Sequence, residues 1–167
     1  MYRNRIIEDA IRDVADSFPC IVVYGSRQVG KSTTVNHIFG KKMRCVTLDD
    51  GDVRFLAKTN PKLFLETYGW PLVIDEIQKA PELLDAIKII IDDKRLEWTE
   101  KNEPKELMYI LTGSHRFELQ QGISDSLAGR CGIIEMASFS RREKYQAQGH
   151  RFDPDIKVLL QREREDS

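Results

Sequence analysis

The eight residues from Gly25 to Ser32 constrain this chain more than any other part of its sequence. They read Gly-Ser-Arg-Gln-Val-Gly-Lys-Ser and match the pattern G-x-x-x-x-G-K-[ST] in full. An apolar, β-branched run (Cys20–Tyr24) precedes them, and a segment with helical features (Lys31–Phe39) follows. A glycine-rich turn between a buried strand and a helix can cradle phosphates, because backbone N–H groups and the helix N-terminus face the anion. The segment therefore predicts a phosphate-binding loop.

Each residue type in this loop has a chemical role. Gly25 and Gly30 permit backbone dihedrals and a close approach to the ligand that a Cβ would block. The Lys31 ammonium would reach the β- and γ-phosphates of a nucleoside triphosphate, and the Ser32 hydroxyl would bind Mg²⁺. We therefore predict nucleotide contacts along the loop and into the helix, from Gly25, Ser26, Arg27, Gln28, Val29, Gly30, Lys31, Ser32 and Thr33.

Strands and helices alternate along the chain. Apolar segments at residues 20–24, 44–48, 72–74, 107–111 and 132–136 read as strands, and segments at 4–17, 31–39, 62–67 and 80–92 read as helices. This alternation predicts an α/β domain with a mainly parallel sheet, in which ligands bind beyond the carboxyl ends of the strands. The polar stretch 93–106 is expected to be a loop. The acidic turn 49–52 is either a solvated loop or a metal site.

A second acidic motif follows the third predicted strand. That strand ends in Asp75 and Glu76. Asp75 would hold the hydration shell of a Mg²⁺ ion and so complete the site begun by Ser32, and Glu76 is the candidate general base for the attacking water. The acidic pair favours an ATPase over a GTPase or a nucleotide-binding switch, and the guanine signature N-K-x-D is absent from the sequence. The predicted ligands are therefore ATP and Mg²⁺.

Two further positions are candidates for contacts with the γ-phosphate. The fourth strand leads into Thr112 and Ser114, whose hydroxyls would lie beside the γ-phosphate if this strand lies between the first and the third. Ser114 is the first choice and Thr112 the second, and the alternative is an ordinary capped turn. Arg130 lies just before the fifth strand, where it is either an arginine finger from the same or a neighbouring subunit or a solvated surface arginine.

Length and composition limit the remaining function classes. The chain has 167 residues, which suggests one domain, and its net charge of −1 argues against a nucleic-acid binder that works through bulk charge. The charged N-terminus is unlike a signal peptide, and no apolar run reaches the roughly 18 residues of a membrane span. The three cysteines lack zinc spacing and are expected to be reduced and buried. We therefore predict a cytoplasmic protein without a membrane partner.

The motifs together resemble a prokaryotic family of AAA-type ATPases, in which a P-loop domain is usually followed by a C-terminal domain. The resemblance covers about residues 18–160 and rests on the phosphate loop and on boxes at 75–78, 111–114 and 126–130. It implies a three-layer P-loop NTPase fold of the additional-strand (ASCE) class, with a five-stranded sheet in the order 5-1-4-3-2. This chain would correspond to the N-terminal ATPase core of that family.

The resemblance also implies roles for individual residues. It places the Walker A motif at Gly25–Ser32, the Walker B motif at Asp75 and Glu76, a sensor at Ser114 and a finger-type role at Arg130. We expect an ATPase core over residues 1–145 and a charged tail or helix over 146–167, with the chain ending before the helical lid and the C-terminal domain.

The predicted function is Mg²⁺-dependent hydrolysis of ATP to ADP and phosphate. The residues predicted to act in catalysis are Lys31, Glu76, Ser114 and Arg130, with Ser32 and Asp75 at the metal and Arg130 acting across a homo-oligomer interface. Three alternatives stay open. They are a non-hydrolysing ATP-binding assembly module, which the missing lid favours, an ATPase coupled to DNA or to a protein partner, and a small-molecule kinase.

Overall fold

The fold is a parallel sheet between two layers of helices. The computed structural model describes residues 2–114, 123 and 125–145. Its five strands are β1 (Cys20–Tyr24), β2 (Arg44–Thr47), β3 (Leu72–Asp75), β4 (Tyr109–Gly113) and β5 (Cys131–Glu135). All strand pairs are parallel and the order is β2-β3-β4-β1-β5, which is the predicted order read from the other edge. As predicted, β4 lies between β1 and β3.

Helices cover both faces of this sheet. One face carries α1 (Glu8–Ser17) and α2 (Lys31–Phe39), and the other carries α3 (Gly51–Thr59), α4 (Pro61–Tyr68) and α5 (Leu83–Lys101). A 3₁₀ turn (Ile77–Lys79) follows β3, and a short helix α6 (Arg141–Tyr145) follows β5. Within the ranges that the structure describes, no helix combines the length and the apolar character that a bilayer crossing requires. The predicted tail at 146–167 lies outside these ranges.

The central strand β1 shows how the sheet divides the core. Cys20 and Val22 pack among the side chains of α4 and α5, whereas Ile21 and Val23 pack against α1 and α2. Successive side chains of a strand point to opposite faces, and crossover helices cover both faces of a parallel sheet. Every residue of β1 is therefore buried, and the strand appears in the sequence as an uninterrupted apolar run.

Helix α5 is longer than its sequence predicts. The expected loop over 93–106 is wrong for residues 93–101, because the helix continues to Lys101. It ends at Asn102, which adopts a left-handed conformation with φ 53°, and residues 102–106 form the loop. Ile91 and Trp98, two turns apart, are buried in the core, while each residue between them is partly or fully exposed. Because most residues of this stretch are polar, its sequence does not show that Trp98, like Ile91, packs one side of the helix against the core.

The acidic turn at 49–52 begins a helix instead of forming a loop or a metal site. Asp50 caps α3, since its carboxylate accepts hydrogen bonds from the N–H groups of Asp52 (2.9 Å) and Val53 (3.2 Å). Asp49 forms an ion pair with Lys79. Among the described residues, no group of three or more His, Cys, Asp or Glu is arranged to hold a metal ion.

The cysteines are free, as expected, but only one of them is buried. Cys20 in β1 is fully buried, and this burial raises its pKa well above the usual range. Cys131 is partly buried, and Cys45 is exposed on the edge strand β2. The expectation of three buried thiols is therefore wrong for the two outer strands.

Candidate nucleotide site

Apart from Arg130, the predicted site residues meet at the carboxyl edge of the sheet. Strands β1, β4 and β3 are neighbours there and end at Tyr24, Gly113 and Asp75. In sheets of this kind, ligands bind beyond the carboxyl ends of the strands, where the order of the strands reverses. The phosphate loop after β1 and the acidic pair after β3 lie on either side of the end of β4.

The phosphate loop, residues 25–30, connects β1 to α2. Gly30 has φ 90°, a left-handed conformation that glycine adopts without a steric penalty, and α2 begins at the next residue. A side chain at position 25 would overlap the carbonyl oxygen of Met136, so the loop passes close to the chain that leaves β5. The first N–H groups of α2 lack partners within the helix and carry a partial positive charge. The loop therefore presents donors suited to an anion.

Lys31 is held against the loop by backbone oxygens. Its Nζ donates hydrogen bonds to the carbonyl oxygens of Gly25 (3.0 Å) and Ser26 (2.8 Å), and the residue is only 6% exposed. Burial lowers the pKa of Lys31, while the nearby carboxylates of Glu76 and Asp75 act to raise it. The ammonium thus lies beside the cradle, between the loop and the acidic pair.

Ser32 and Asp75 join the two predicted motifs. The Ser32 hydroxyl donates a hydrogen bond to Oδ1 of Asp75 at 2.7 Å. The hydroxyl of Thr112, which is fully buried in β4, donates to the same carboxylate oxygen. The sequence predicts Thr112, after Ser114, as a candidate for contact with the γ-phosphate, and the structure places its hydroxyl against Asp75. Three polar side chains from α2, β3 and β4 therefore converge on one point.

Glu76 and Ser114 belong to a second polar cluster at the same edge. Glu76 adopts a left-handed backbone conformation (φ 60°, ψ 44°), which costs a non-glycine residue about 1–3 kcal/mol and is typical of functional sites. The amide nitrogen of Gln78 donates to Oε2 of Glu76 and, at 3.1 Å, to Oγ of Ser114. Ser114 Oγ also lies 3.4 Å from Oε2 of Glu76. The sequence patterns assign no role to Gln78, and the structure places it between the two predicted residues.

Two cavities border the phosphate loop. One of about 350 Å³ is lined by Arg27, Gln28, Asp49, Glu76 and Lys79. Another of about 330 Å³ lies beside the start of α2 and is lined by Tyr2, Arg3, Arg5, Gly30, Thr33, Thr34 and Phe139. The ring of Tyr2 also stacks on that of His37, with 3.8 Å between the centroids. The loop therefore has open space on the side of Glu76 and on the side of the chain's N-terminal segment.

Arg130 lies at the opposite edge of the sheet from the phosphate loop. The register pairs Cys20 with Cys131, so Arg130 is level with the amino end of β1, about 13 Å of strand away from the loop. Its guanidinium forms a bidentate pair with Asp92 of α5, at 2.6 and 2.9 Å. This hydrogen bond raises the pKa of Arg130 and lowers that of Asp92. A finger from the same subunit does not fit this placement, and a finger from a neighbouring subunit stays a prediction.

Comparison with protein families decides the broad class. Residues 17–145 match the family described as an AAA domain, from the end of α1 to the end of α6. The chain belongs to the AAA domain family. The match contains the whole five-stranded sheet, the phosphate loop and the acidic pair, so the resemblance drawn from the motifs is confirmed. The AAA domain has the fold of a P-loop ATPase.

Two mycobacterial proteins resemble this AAA domain in sequence. They are described as the uncharacterized proteins Rv2008c of Mycobacterium tuberculosis and Mb2031c of Mycobacterium bovis. Each is 27% identical to the chain over 126 residues, which is 75% of this chain and 26% of the relative. The AAA domain thus spans about a quarter of the length of these curated relatives.

A solved structure shares the architecture. The Walker-type ATPase PABY2304 of Pyrococcus abyssi superposes with a TM-score of 0.57 at 15% sequence identity. The match covers 87% of this chain and 56% of that chain. At this identity the likeness shows the fold and leaves activity to be argued from the site.

Proposed function

We propose that this AAA domain binds ATP with Mg²⁺ at the carboxyl edge of its sheet and hydrolyses it to ADP and phosphate. The observation that carries the proposal is the 2.7 Å hydrogen bond between Ser32 and Asp75. It brings together the hydroxyl of the phosphate-loop motif and the carboxylate of the acidic motif. Lys31, the cation expected to contact the phosphates, lies next to both motifs.

The phosphate chain is bound by the loop and by the N-terminus of α2. The oxygens of a triphosphate would replace the two backbone carbonyls that now accept hydrogen bonds from Lys31. Hydrogen bonds between an ammonium and a phosphate are stronger than those to neutral carbonyls, so this exchange favours binding. The residues from Gly25 to Thr33 supply the remaining contacts through their backbone N–H groups.

Ser32 and Asp75 fit the chemistry of Mg²⁺. This cation prefers oxygen ligands, keeps several waters, and is commonly bound through one or two protein side chains together with substrate phosphates. Ser32 offers an exposed hydroxyl and Asp75 a carboxylate, and Thr112 orients that carboxylate from the sheet. When bound, the ion would offset the negative charge of the phosphates. A site of this type does not need a cluster of three acidic or imidazole side chains from the protein.

Glu76 is the residue best placed to activate water. Its carboxylate lies at the edge of the cavity of about 350 Å³ that borders the loop, where it can accept a proton from a water molecule. Ser114 lies beside it and, with Gln78, restricts the position of the carboxylate. Ser114 can therefore act on the γ-phosphate or on the attacking water, as its position after β4 predicts.

The base of the nucleotide is expected to be adenine, because the guanine signature N-K-x-D is absent from the sequence. Arg130 completes the site from a neighbouring subunit, so hydrolysis depends on self-association. This role agrees with the position of Arg130 near the amino ends of the strands, away from the nucleotide site of its own chain. A DNA or protein partner stays a prediction without a supporting contact.

A second candidate function is ATP-dependent assembly with little turnover. The observation that favours it is the contact between Gln78 and Oε2 of Glu76, since a carboxylate held in this way is less free to take a proton from water. In this case the domain would bind ATP and associate with itself or with a partner, while phosphate release stays slow. The two candidates share the binding site and differ in the rate of the chemical step.

Equilibrium titration with ATP and GTP in the presence of Mg²⁺ tests the binding step. We expect the wild-type protein to bind ATP more tightly than GTP. The Lys31→Ala variant should bind ATP about 10- to 100-fold more weakly, because a charge-assisted hydrogen bond is lost. The control is Lys62→Ala, since the Lys62 side chain is 84% exposed on α4. Equal ATP affinity in wild type and Lys31→Ala would remove the phosphate loop from its proposed role.

A further inference from the structure

A buried arginine near the start of the chain contacts the phosphate loop. Arg5 precedes α1, and its side chain is only 4% exposed. One terminal nitrogen of its guanidinium donates to the carbonyl oxygen of Val29 at 2.9 Å. Val29 is the loop residue just before Gly30, so this contact reaches the part of the loop where the chain turns into α2.

The same guanidinium is fixed by the segment that follows β5. Its second terminal nitrogen donates to the carbonyl oxygen of Ala137 at 2.7 Å, and Nε pairs with Glu143 of α6 at 2.9 Å. The ring of Phe139 lies against the guanidinium, 4.2 Å from its central carbon to the ring centroid. All three nitrogens of Arg5 are therefore engaged, and two of the three partners belong to residues 137–143.

The Val29 contact determines the direction of a donor in the loop. The peptide unit between Val29 and Gly30 is planar and trans, so its carbonyl and its N–H point in opposite directions. Because Arg5 holds the carbonyl, the Gly30 N–H points away from Arg5. Gly30 (φ 90°) has no Cβ to restrict its dihedrals, so this peptide unit can change orientation unless a contact holds it.

We propose that Arg5 is a positioning residue for nucleotide binding, which holds the Val29–Gly30 peptide so that the phosphate loop keeps its binding shape. Residues 137–143 hold Arg5 in turn. This inference rests on the proposed function, since it assumes that the loop binds phosphate. Arg5 itself does not need to contact the nucleotide.

The charge of Arg5 is balanced, so its effect on the loop is geometric. Burial alone would raise the pKa of Glu143, but hydrogen bonds from the N–H groups of Ser140 and Ile6 and from Arg5 lower it to about 2. The carboxylate is therefore ionised at neutral pH and neutralises the guanidinium. A lysine at position 5 would keep the charge but lack the planar fork that contacts three partners at once.

Two measurements on the Arg5→Lys variant test the proposal. Backbone ¹⁵N order parameters of Val29 and Gly30, measured without nucleotide, report on how firmly the loop is held. Titration with ADP reports on nucleotide binding. The control is Ile87→Val, a fully buried core substitution on α5 that lies on the other face of the sheet from the cluster containing Val29 and lowers stability in general. Glu143→Gln gives a second, milder variant in case Arg5→Lys does not fold.

We expect lower order parameters at Val29 and Gly30 and about tenfold weaker ADP binding in Arg5→Lys, with neither change in Ile87→Val. Glu143→Gln should shift both quantities in the same direction by a smaller factor. Unchanged order parameters in both variants, or a more mobile loop with unchanged ADP affinity, would overturn the role of Arg5. A wild-type protein that binds neither ADP nor ATP would instead overturn the proposed function. The order parameters of Val29 and Gly30 would still show whether Arg5 restricts the motion of the loop.

Discussion

The Ser32 hydroxyl lies 2.7 Å from Oδ1 of Asp75, although the two residues are 43 positions apart in the sequence. The contact forms because β1 and β3 both flank β4 and end at the same edge of the sheet. The start of the helix after β1 and the acid at the end of β3 are therefore brought together by the strand order alone. The parallel topology thus builds the proposed metal site from two local motifs.

The Asp75→Asn variant should lose most of the effect of Mg²⁺ on nucleotide binding. An amide carries no charge and cannot replace the carboxylate that faces Ser32. We therefore expect the factor by which Mg²⁺ tightens ATP binding to fall about 10- to 100-fold. ATP titrations over a range of Mg²⁺ concentrations measure this directly. The control is Asp13→Asn on the exposed side of α1. A full Mg²⁺ effect in Asp75→Asn would place the ion elsewhere.

The Ser114→Ala variant should slow phosphate release about tenfold while ADP affinity stays unchanged. Its hydroxyl lies 3.4 Å from Oε2 of Glu76, so its loss removes about one hydrogen bond from the reacting site. The measurement is steady-state turnover at saturating ATP together with an ADP titration. Ser17→Ala is the control, because Ser17 is exposed at the end of α1. Wild-type turnover in Ser114→Ala would show that this hydroxyl has no part in hydrolysis.

A mixture of two inactive variants tests whether Arg130 acts across an interface. Arg130→Ala retains the nucleotide site and lacks the finger, with an expected loss of about 10³-fold or more in turnover. Lys31→Ala has the weakened nucleotide site and retains the arginine. Turnover should return when the two are mixed, and wild-type turnover per chain should rise with protein concentration. A mixture as inactive as its components would contradict a finger in trans.

Protonation of Glu143 in acid should destabilise the protein, because it breaks the ion pair with Arg5. The ordinary pKa of a glutamate is 4.5, and hydrogen bonds lower that of Glu143 to about 2 in the folded chain. A lowered pKa stabilises the fold above pH 4.5, and this contribution is lost as the pH falls from 4.5 through 2. The free energy of unfolding should therefore fall more steeply over this window in wild type than in Glu143→Gln.

Urea unfolding at several pH values measures this difference. The exposed Glu66→Gln on α4 provides a control with the same chemical change. Parallel pH profiles for wild type and Glu143→Gln would show that the Glu143 carboxylate contributes nothing in this range.

The fold and the centre of the site could be predicted because they depend on local signals. Strand β1 is buried on both faces, so its sequence is a continuous apolar run that predicts a strand. The predicted bounds, Cys20 and Tyr24, are those observed. The two glycines of the phosphate loop mark its geometry in the sequence. There is no room for a side chain at Gly25, and the backbone is left-handed at Gly30. The parallel order of the sheet then follows from alternating strands and helices.

The remaining features depend on contacts between distant residues. Arg5 and Glu143 are 138 positions apart, and only the folded chain brings them together at the phosphate loop. Gln78 contacts Ser114 for the same reason. Helix α5 continues past its predicted end because Trp98 is buried in the core. The polar residues around Trp98 in the sequence give no sign of this burial. The sequence pattern alone contains no signal for these three features beyond the identity of the residues.

Hydrolysis of ATP by water activated at Glu76 is the central claim. Single-turnover phosphate release from Mg²⁺ and ATP, compared between wild type and Glu76→Gln at equal ATP occupancy, tests it most directly. Both proteins should bind ATP, and the variant should release phosphate about 10²- to 10⁴-fold more slowly, because general-base catalysis is lost. Phosphate release at the same rate from both proteins, or none from wild type with ATP bound, would contradict the account.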